Sequence, residues 1–171
     1  SWYNTSWQYR IPVTINNTGS GLTGYQVNVT LGSSFAWSNA QAGGGDVFLT
    51  AGDGITPLDF YLESWIQFSS ASIWVEVSSL PAGETTVFLY YGNPSASSAS
   101  NGTHTFLFFD DFETGTIDAA KWTTNGTITR DVIDEAGNDV LRVMTSTAAH
   151  FNFVRTAVGL SFSDFVLEMK V

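Results

Sequence analysis

Cysteine is absent from the 171 residues, which removes disulfide frameworks, thiolate metal sites and cysteine nucleophiles together. Basic residues are nearly as scarce. Six Lys and Arg stand against sixteen Asp and Glu, for a net charge of -10, and Arg10 is the only one of the six before Lys121. So acidic a chain is repelled by nucleic-acid backbones and by anionic membrane surfaces; neutral glycans, cations and cationic partners remain as ligand classes. No run approaches the roughly 18 to 20 apolar residues of a membrane-spanning helix, so no membrane insertion is expected. Long stretches of 3.6-residue periodicity are missing too. The chain opens on Ser1-Trp2 without an initiator Met or a hydrophobic leader, the form expected of a processed, exported protein.

What is abundant is Thr, Ser, Val, Gly and aromatic residues, a composition that favours strands. Tyr9, Ile11, Val13 and Ile15 alternate with polar residues over Gln8 to Asn16, with Pro12 near a strand start or sheet edge. Tyr25, Val27, Val29 and Leu31 alternate in the same way, and the turn cluster Asn17 to Gly21 predicts a hairpin between the two. Further strands are expected at Val47 to Thr50, Leu58 to Ile66, Ile73 to Val77 and Val87 to Tyr91, separated by Gly, Pro, Asn and Asp turns. Strands recurring roughly every 8 to 12 residues predict an all-β fold, a β-sandwich or barrel.

The segment Thr86 to Phe112 reads as a seam. Val87 to Tyr91 and Thr105 to Phe109 are expected as two strands around a small-residue loop, in which Ser95 to Ser100 has room for one helical turn. Tyr91-Gly92-Asn93-Pro94 stops the first strand. Past it, Thr116 to Trp122 reads as a turn, with strands at Gly126 to Ile133, Val140 to Met144, Phe151 to Arg155 and Phe165 to Val171. In the last, Phe165, Leu167, Met169 and Val171 alternate with Val166, Glu168 and Lys170 to the final residue, the pattern expected of a strand at which the chain is cut or of one that pairs with something outside it. Residues 1–105 and 106–171 are the two modules this predicts.

Several motifs carry a resemblance. Trp7-Gln8-Tyr9-Arg10-Ile11-Pro12-Val13-Thr14-Ile15, Gly24-Tyr25-Gln26-Val27, Asp46-Val47-Phe48-Leu49-Thr50 with Asp53-Gly54, Glu63-Ser64-Trp65, Ile73-Trp74-Val75, Leu80-Pro81-Ala82-Gly83 and Tyr90-Tyr91-Gly92-Asn93-Pro94 resemble, in order, the domain of unknown function 2341. The resemblance covers about residues 5–105 and implies a β-sandwich of exported prokaryotic surface proteins, with no established catalytic residues. From Phe109, Asp110-Asp111-Phe112-Glu113 followed by Ile117, Asp118 and Lys121-Trp122 is similar to the opening of concanavalin-A-like and laminin-G-like jelly rolls. The Glu-x-Asp-x-x-Glu strand of related glucanases does not occur in the sequence. The fold expected is a jelly-roll-like β-sandwich with a second β module begun or packed after residue 105.

Candidate sites fall into three sets. Five Asn-x-Ser/Thr sequons, at Asn4, Asn16, Asn28, Asn101 and Asn125, point to a glycoprotein; Asn28 lies on the outward face of its strand. Asp46, Asp53, Asp59 and Glu63 lie around Gly-rich turns where oxygen ligands converge on Ca²⁺ in other proteins, although such residues also cap backbone N–H groups. A second acidic group comprises Asp110, Asp111, Glu113, Asp134, Glu135 and Asp139. There the jelly-roll resemblance implies structural calcium, with Asp111 as first ligand. Metal candidates are therefore Asp111, Asp46 and Asp53. Trp74, which falls out of phase with Ile73, Val75 and Val77, forms with Trp65 and Tyr90 the candidate platform for stacking a sugar; strands buried on both sides give the same doubled pattern.

No spacing selects a catalytic pair of carboxylates. His104 and His150 lack metal-site settings, and no Gly-x-Ser-x-Gly elbow occurs, so no enzyme is expected. Arg10 is read as the anchor of a carboxylate or as a solvated surface cation. These readings together predict a non-catalytic, glycosylated structural protein of the cell surface, a subunit of a filament, pilus-like fibre or coat. It self-associates into a polymer by donating Tyr3 to Ile15 or Phe165 to Val171 to an open sheet edge. The alternative is a carbohydrate-binding module of an adhesin or secreted enzyme, with an extracellular glycan as partner; a third reading is a piece of a glucanase-like enzyme.

Overall fold

The structure, a computed structural model, describes residues 1–125, 128–145, 153–157 and 159. The chain folds as two units, Ser1–Asp110 and Asp111–Val171.

The first unit is an all-β sandwich. Strands β1 (Tyr9–Asn17), β2 (Tyr25–Leu31), β3 (Phe48–Thr50), β4 (Phe60–Ile66), β5 (Ser70–Val77) and β6 (Gly83–Tyr91) form two antiparallel three-stranded sheets, ordered β1-β6-β3 and β2-β5-β4. Period-2 alternation does the sorting: Val87, Leu89 and Tyr91 of one sheet meet Ile73, Val75 and Val77 of the other, all buried in one apolar core with Val29, Leu31 and Leu49. Each such side chain contributes roughly 1.5–3 kcal/mol relative to exposure.

The expected β1–β2 hairpin does not form. β1 pairs with β6 over Tyr9↔Tyr91 to Asn17↔Gly83, whereas β2 pairs with β5 over Tyr25↔Val77 to Leu31↔Ala71. Both apolar faces point at the same core from opposite sides, so the chain crosses between layers instead of turning within one. Asn17 fixes the crossing, its Nδ2 donating to the carbonyls of Ser20, Leu80 and Pro81, and Leu22 bridges to Leu80.

A second difference lies in β4. Phe60 and Leu62 sit opposite Val75 and Ile73, but the register with β5 shifts between Leu62 and Ser64, so that Trp65 rather than Ser64 follows them inward. Such a bulge adds one residue to one strand and reverses the side-chain phase beyond it.

The strand expected at Thr105 to Phe109 is not one. Residues Gly102–Thr105 form a single-turn helix, α1, capped by the Asn101 side chain, which accepts from His104 N. The residues after it bend across the outside of β4 and β5. Phe106 and Phe109 stack at 5.8 Å, with Tyr61 4.6 Å from Phe109. Spacing of three, not two, brings both rings onto the sheet, while Leu107 between them is 74% exposed.

In the second unit the described strands are β7 (Trp122–Asn125), β8 (Ile128–Asp134), β9 (Asp139–Thr145) and β10 (Phe153–Thr156), paired antiparallel as β7 with β10 and β8 with β9. The β8–β9 hairpin closes through Ala136 and Gly137, both at positive φ, the backbone that a two-residue turn between twisted strands requires. Arg142 grips the Asp131 carboxylate across it through two guanidinium nitrogens, which lowers the carboxyl pKa. The segment Phe165 to Val171 and His150 lie outside the described residues.

Candidate functional site

The outer face of the β2-β5-β4 sheet carries a connected set of polar side chains. Asn28 of β2 stands directly across from Trp74 of β5, and Tyr61 of β4 flanks Trp74 on the other side. The β4 bulge places Glu63 beside them. Asn28 Nδ2 donates to Ser72 Oγ at 2.8 Å, Ser72 Oγ donates to Glu63 Oε2 at 2.7 Å, and Trp74 Nε1 donates to the same oxygen at 3.3 Å. This chain pins the indole in one orientation and uses up its only polar group. Phe106 meets the ring edge-on at 5.7 Å.

The three aromatics expected to form one platform stand on three surfaces. Only Trp74 is on this outer face. The bulge turns Trp65 into the sandwich, where it packs at 5.0 Å against buried Trp37. Tyr90 points away from the core on β6 and is nonetheless fully buried, because residues 1–8 fold over it. Trp2 lies edge-on to Tyr90 at 5.4 Å and Tyr3 stacks on Phe48 at 4.3 Å. The Tyr90 hydroxyl accepts from Tyr3 N and Arg10 Nη1 and donates to the Gly54 carbonyl.

Arg10 is neither a carboxylate anchor nor a solvated cation. Its guanidinium lies 4.2 Å from the Phe88 ring centre and 4.8 Å from that of Trp2, a cation–π arrangement under the same cover.

The carboxylates of Asp46 and Asp53 are occupied by the protein itself. Asp46, 1% exposed, accepts from Gln41 N at 3.0 Å through Oδ1 and from Gly92 N and Asn93 N at 2.6 and 3.1 Å through Oδ2. Its own carbonyl accepts from Trp7 Nε1. It thus ties the N-terminal segment, the loop before β3 and the end of β6 together. An open depression of about 340 Å³ lies above it, with Tyr9, Asn39, Gln41 and Pro94 among its walls. Gln41 Nε2 is spent on the carbonyls of Asn93 and Ala96, so the depression has a structural floor.

Asp53 sits in a separate exposed turn. Thr56 Oγ1 donates to it, as do the backbone N–H groups of Thr56 and Ile55; these bonds, the hydroxyl first, hold its carboxyl pKa at about 2, below the usual 3.8. A pKa lowered by folding means that the turn gains from Asp53 above pH 3.8 and loses that gain as pH falls towards 2. Thr56→Val is expected to move the Asp53 titration upward, read by carboxyl NMR shifts.

Asp111 accepts from Glu113 N, and Asp59 lies 3.8 Å from His104 Nδ1 on the surface. Among the described residues no three His, Asp or Glu side chains gather as ligands for one cation.

Of the sequon asparagines, Asn4, Asn16 and Asn28 are exposed and Asn101 is half-buried at the α1 cap. Asn125 lies in β7. What sequence reasoning missed is the partnership of Glu63 and Ser72 with Trp74. The out-of-phase Trp74 was the available signal, but the bulge that delivers Glu63 leaves no trace in the alternation.

The family model described as Domain of unknown function (DUF2341) matches residues 43–125, from the loop before β3 through β7. No curated protein and no solved structure matches the chain.

Proposed function

We propose, from a DUF2341 match joined to a six-stranded sandwich, that this chain is a non-catalytic structural module of an extracellular surface assembly, joined to its neighbours by strand addition. The observation that carries the reading is the state of the four sheet edges. The free side of β4 is taken up by the connector, through Asn101 N to Phe60 O and Leu62 N to Ser100 Oγ. That of β3 is covered by residues 56–58, through Leu58 N to Leu49 O and Ala51 N to Thr56 O. β1 carries Pro12 midway, which lacks the N–H a ladder needs. β2 alone is a seven-residue edge with no Pro, charge or bulge, and among the described residues its backbone bonds only to β5.

An edge left in that state is a template for another strand. The alternating Phe165 to Val171 of a neighbouring copy supplies the matching pattern. Tyr3 to Ile15 is the poorer donor, because Tyr9 to Ile15 already pair with β6 and Tyr3 is stacked on Phe48. The sugar-platform alternative loses its motive, since Trp74, Trp65 and Tyr90 share no surface.

Negative-stain microscopy of the protein released from its own cells is expected to show filaments or sheets. Consecutive residues of a strand direct their N–H groups to opposite sides, so one of Gln26→Pro and Val27→Pro removes a donor from the free edge alone. That variant is expected to fold and not assemble. Discrete monomers from native cells, or assembly by both variants, would overturn the reading.

A further inference from the structure

We infer that Asn28 is an N-glycosylation site whose first sugar rests on the ring of Trp74. The outer face of the β2-β5-β4 sheet is then a seat for the protein's own glycan. The inference goes beyond the structural reading and depends on it only in requiring an exported chain.

Asn28-Val29-Thr30 is a sequon whose asparagine is exposed and in cross-strand register with Trp74. Directly opposed residues of an antiparallel pair hold their Cβ atoms roughly 4.5–5.5 Å apart, within reach of a pyranose attached to the asparagine. None of the other three sequon asparagines with described side chains has this relation. Asn16 stands across from Glu84, Asn4 holds Ser6 N in a tight turn, and the Asn101 oxygen is engaged in capping α1.

The orientation is set in advance. The bond from Asn28 Nδ2 to Ser72 Oγ aims the amide nitrogen at β5, the strand that bears Trp74. A glycosylated amide keeps one N–H, so a donor to Ser72 Oγ remains after modification. The indole, half-buried and with Phe106 against it, is held by Glu63 through its N–H; the part left to solvent is apolar ring, and a pyranose presents an apolar C–H face to such a ring. The platform is therefore rigid before the sugar arrives, and little ordering opposes the contact.

The chemistry requires a transferase and a polyisoprenoid-phosphate-linked oligosaccharide as co-substrate. The Asn28 Nδ2 attacks the anomeric carbon, the N–C1 bond forms as the C1–O bond to phosphate breaks, the polyisoprenoid phosphate leaves with the electron pair, and the Nδ2 proton passes to a base of the transferase.

Two measurements on protein from its own cells test this. Glycopeptide mapping is expected to find Asn28 occupied in most molecules; Asn28 recovered mainly unmodified, whether or not other sequons carry sugar, overturns the assignment. Filaments bearing a bare Asn28 would overturn the glycan and spare the assembly, and glycosylated monomers would do the reverse. The second measurement compares glycosylated protein with its Asn28→Gln form, in the wild-type background and with Trp74→Leu, which stays apolar without the ring. Loss of the glycan is expected to lower the folding equilibrium constant about two- to tenfold in the first background and by less than twofold in the second. An equal loss in both overturns the role of Trp74.

Discussion

Asp46→Ala is expected to destabilise the first unit by about 3–5 kcal/mol, the largest effect of any single polar substitution in it. The carboxylate satisfies three backbone N–H groups, of Gln41, Gly92 and Asn93, and it does so in a site 1% exposed, where water reaches none of them easily. Each buried donor left without a partner costs roughly 1–3 kcal/mol, and relaxation recovers part of the sum. Asp46→Asn keeps the shape but turns one N–H₂ towards an N–H, so it is expected to lose about half as much. Chemical denaturation followed by tryptophan fluorescence measures both. A loss below about 1 kcal/mol for the alanine variant, within the range of ordinary surface substitutions, would show that the depression above Asp46 admits enough water to replace the carboxylate.

The second large effect is expected at Gly102, the first residue of α1. A Cβ there would overlap the ring of Phe109, and the ring is held on its other sides by Phe106 and Tyr61. Gly102→Ala therefore has to expel Phe109, with an overpacking loss of about 2–3 kcal/mol. Its visible consequence is local: the connector over β4 loosens, so limited proteolysis is expected to cut between residues 103 and 110 in the variant first. Phe109→Leu, which shortens the ring side, is expected to rescue part of the loss, so the double variant falls short of the sum of the single ones. Full additivity would mean that the helix turn and the aromatic pair are independent.

The two predictions fall on features of unequal legibility. Nothing in the spacing of Asp46 separates it from Asp53, since both stand beside glycines ahead of or after a short strand. Folding makes one a buried tie between three segments and the other an exposed turn cap. The difference arises from long-range partners, Gly92 and Asn93, that lie 46 and 47 residues away. Gly102 was legible only as part of a sequon and a turn. Its need for emptiness comes from Phe109, which read as the last residue of a strand.

The alternation of Ile11 to Ile15, Val27 to Leu31, Ile73 to Val77 and Val87 to Tyr91 by itself determined the all-β class, the positions of these four strands and which of their side chains face the core, because burial on one face imposes a period of two wherever the strand lies. The same alternation is silent on which strand is the neighbour. That β1 joins β6 and β2 joins β5, that the β4 bulge turns Trp65 inward and brings Glu63 to Trp74, and that residues 1–8 bury Tyr90 were decided by tertiary structure alone. Each depends on the closing of two layers over one core, and a chain read residue by residue contains the faces to be buried but not the partner that buries them.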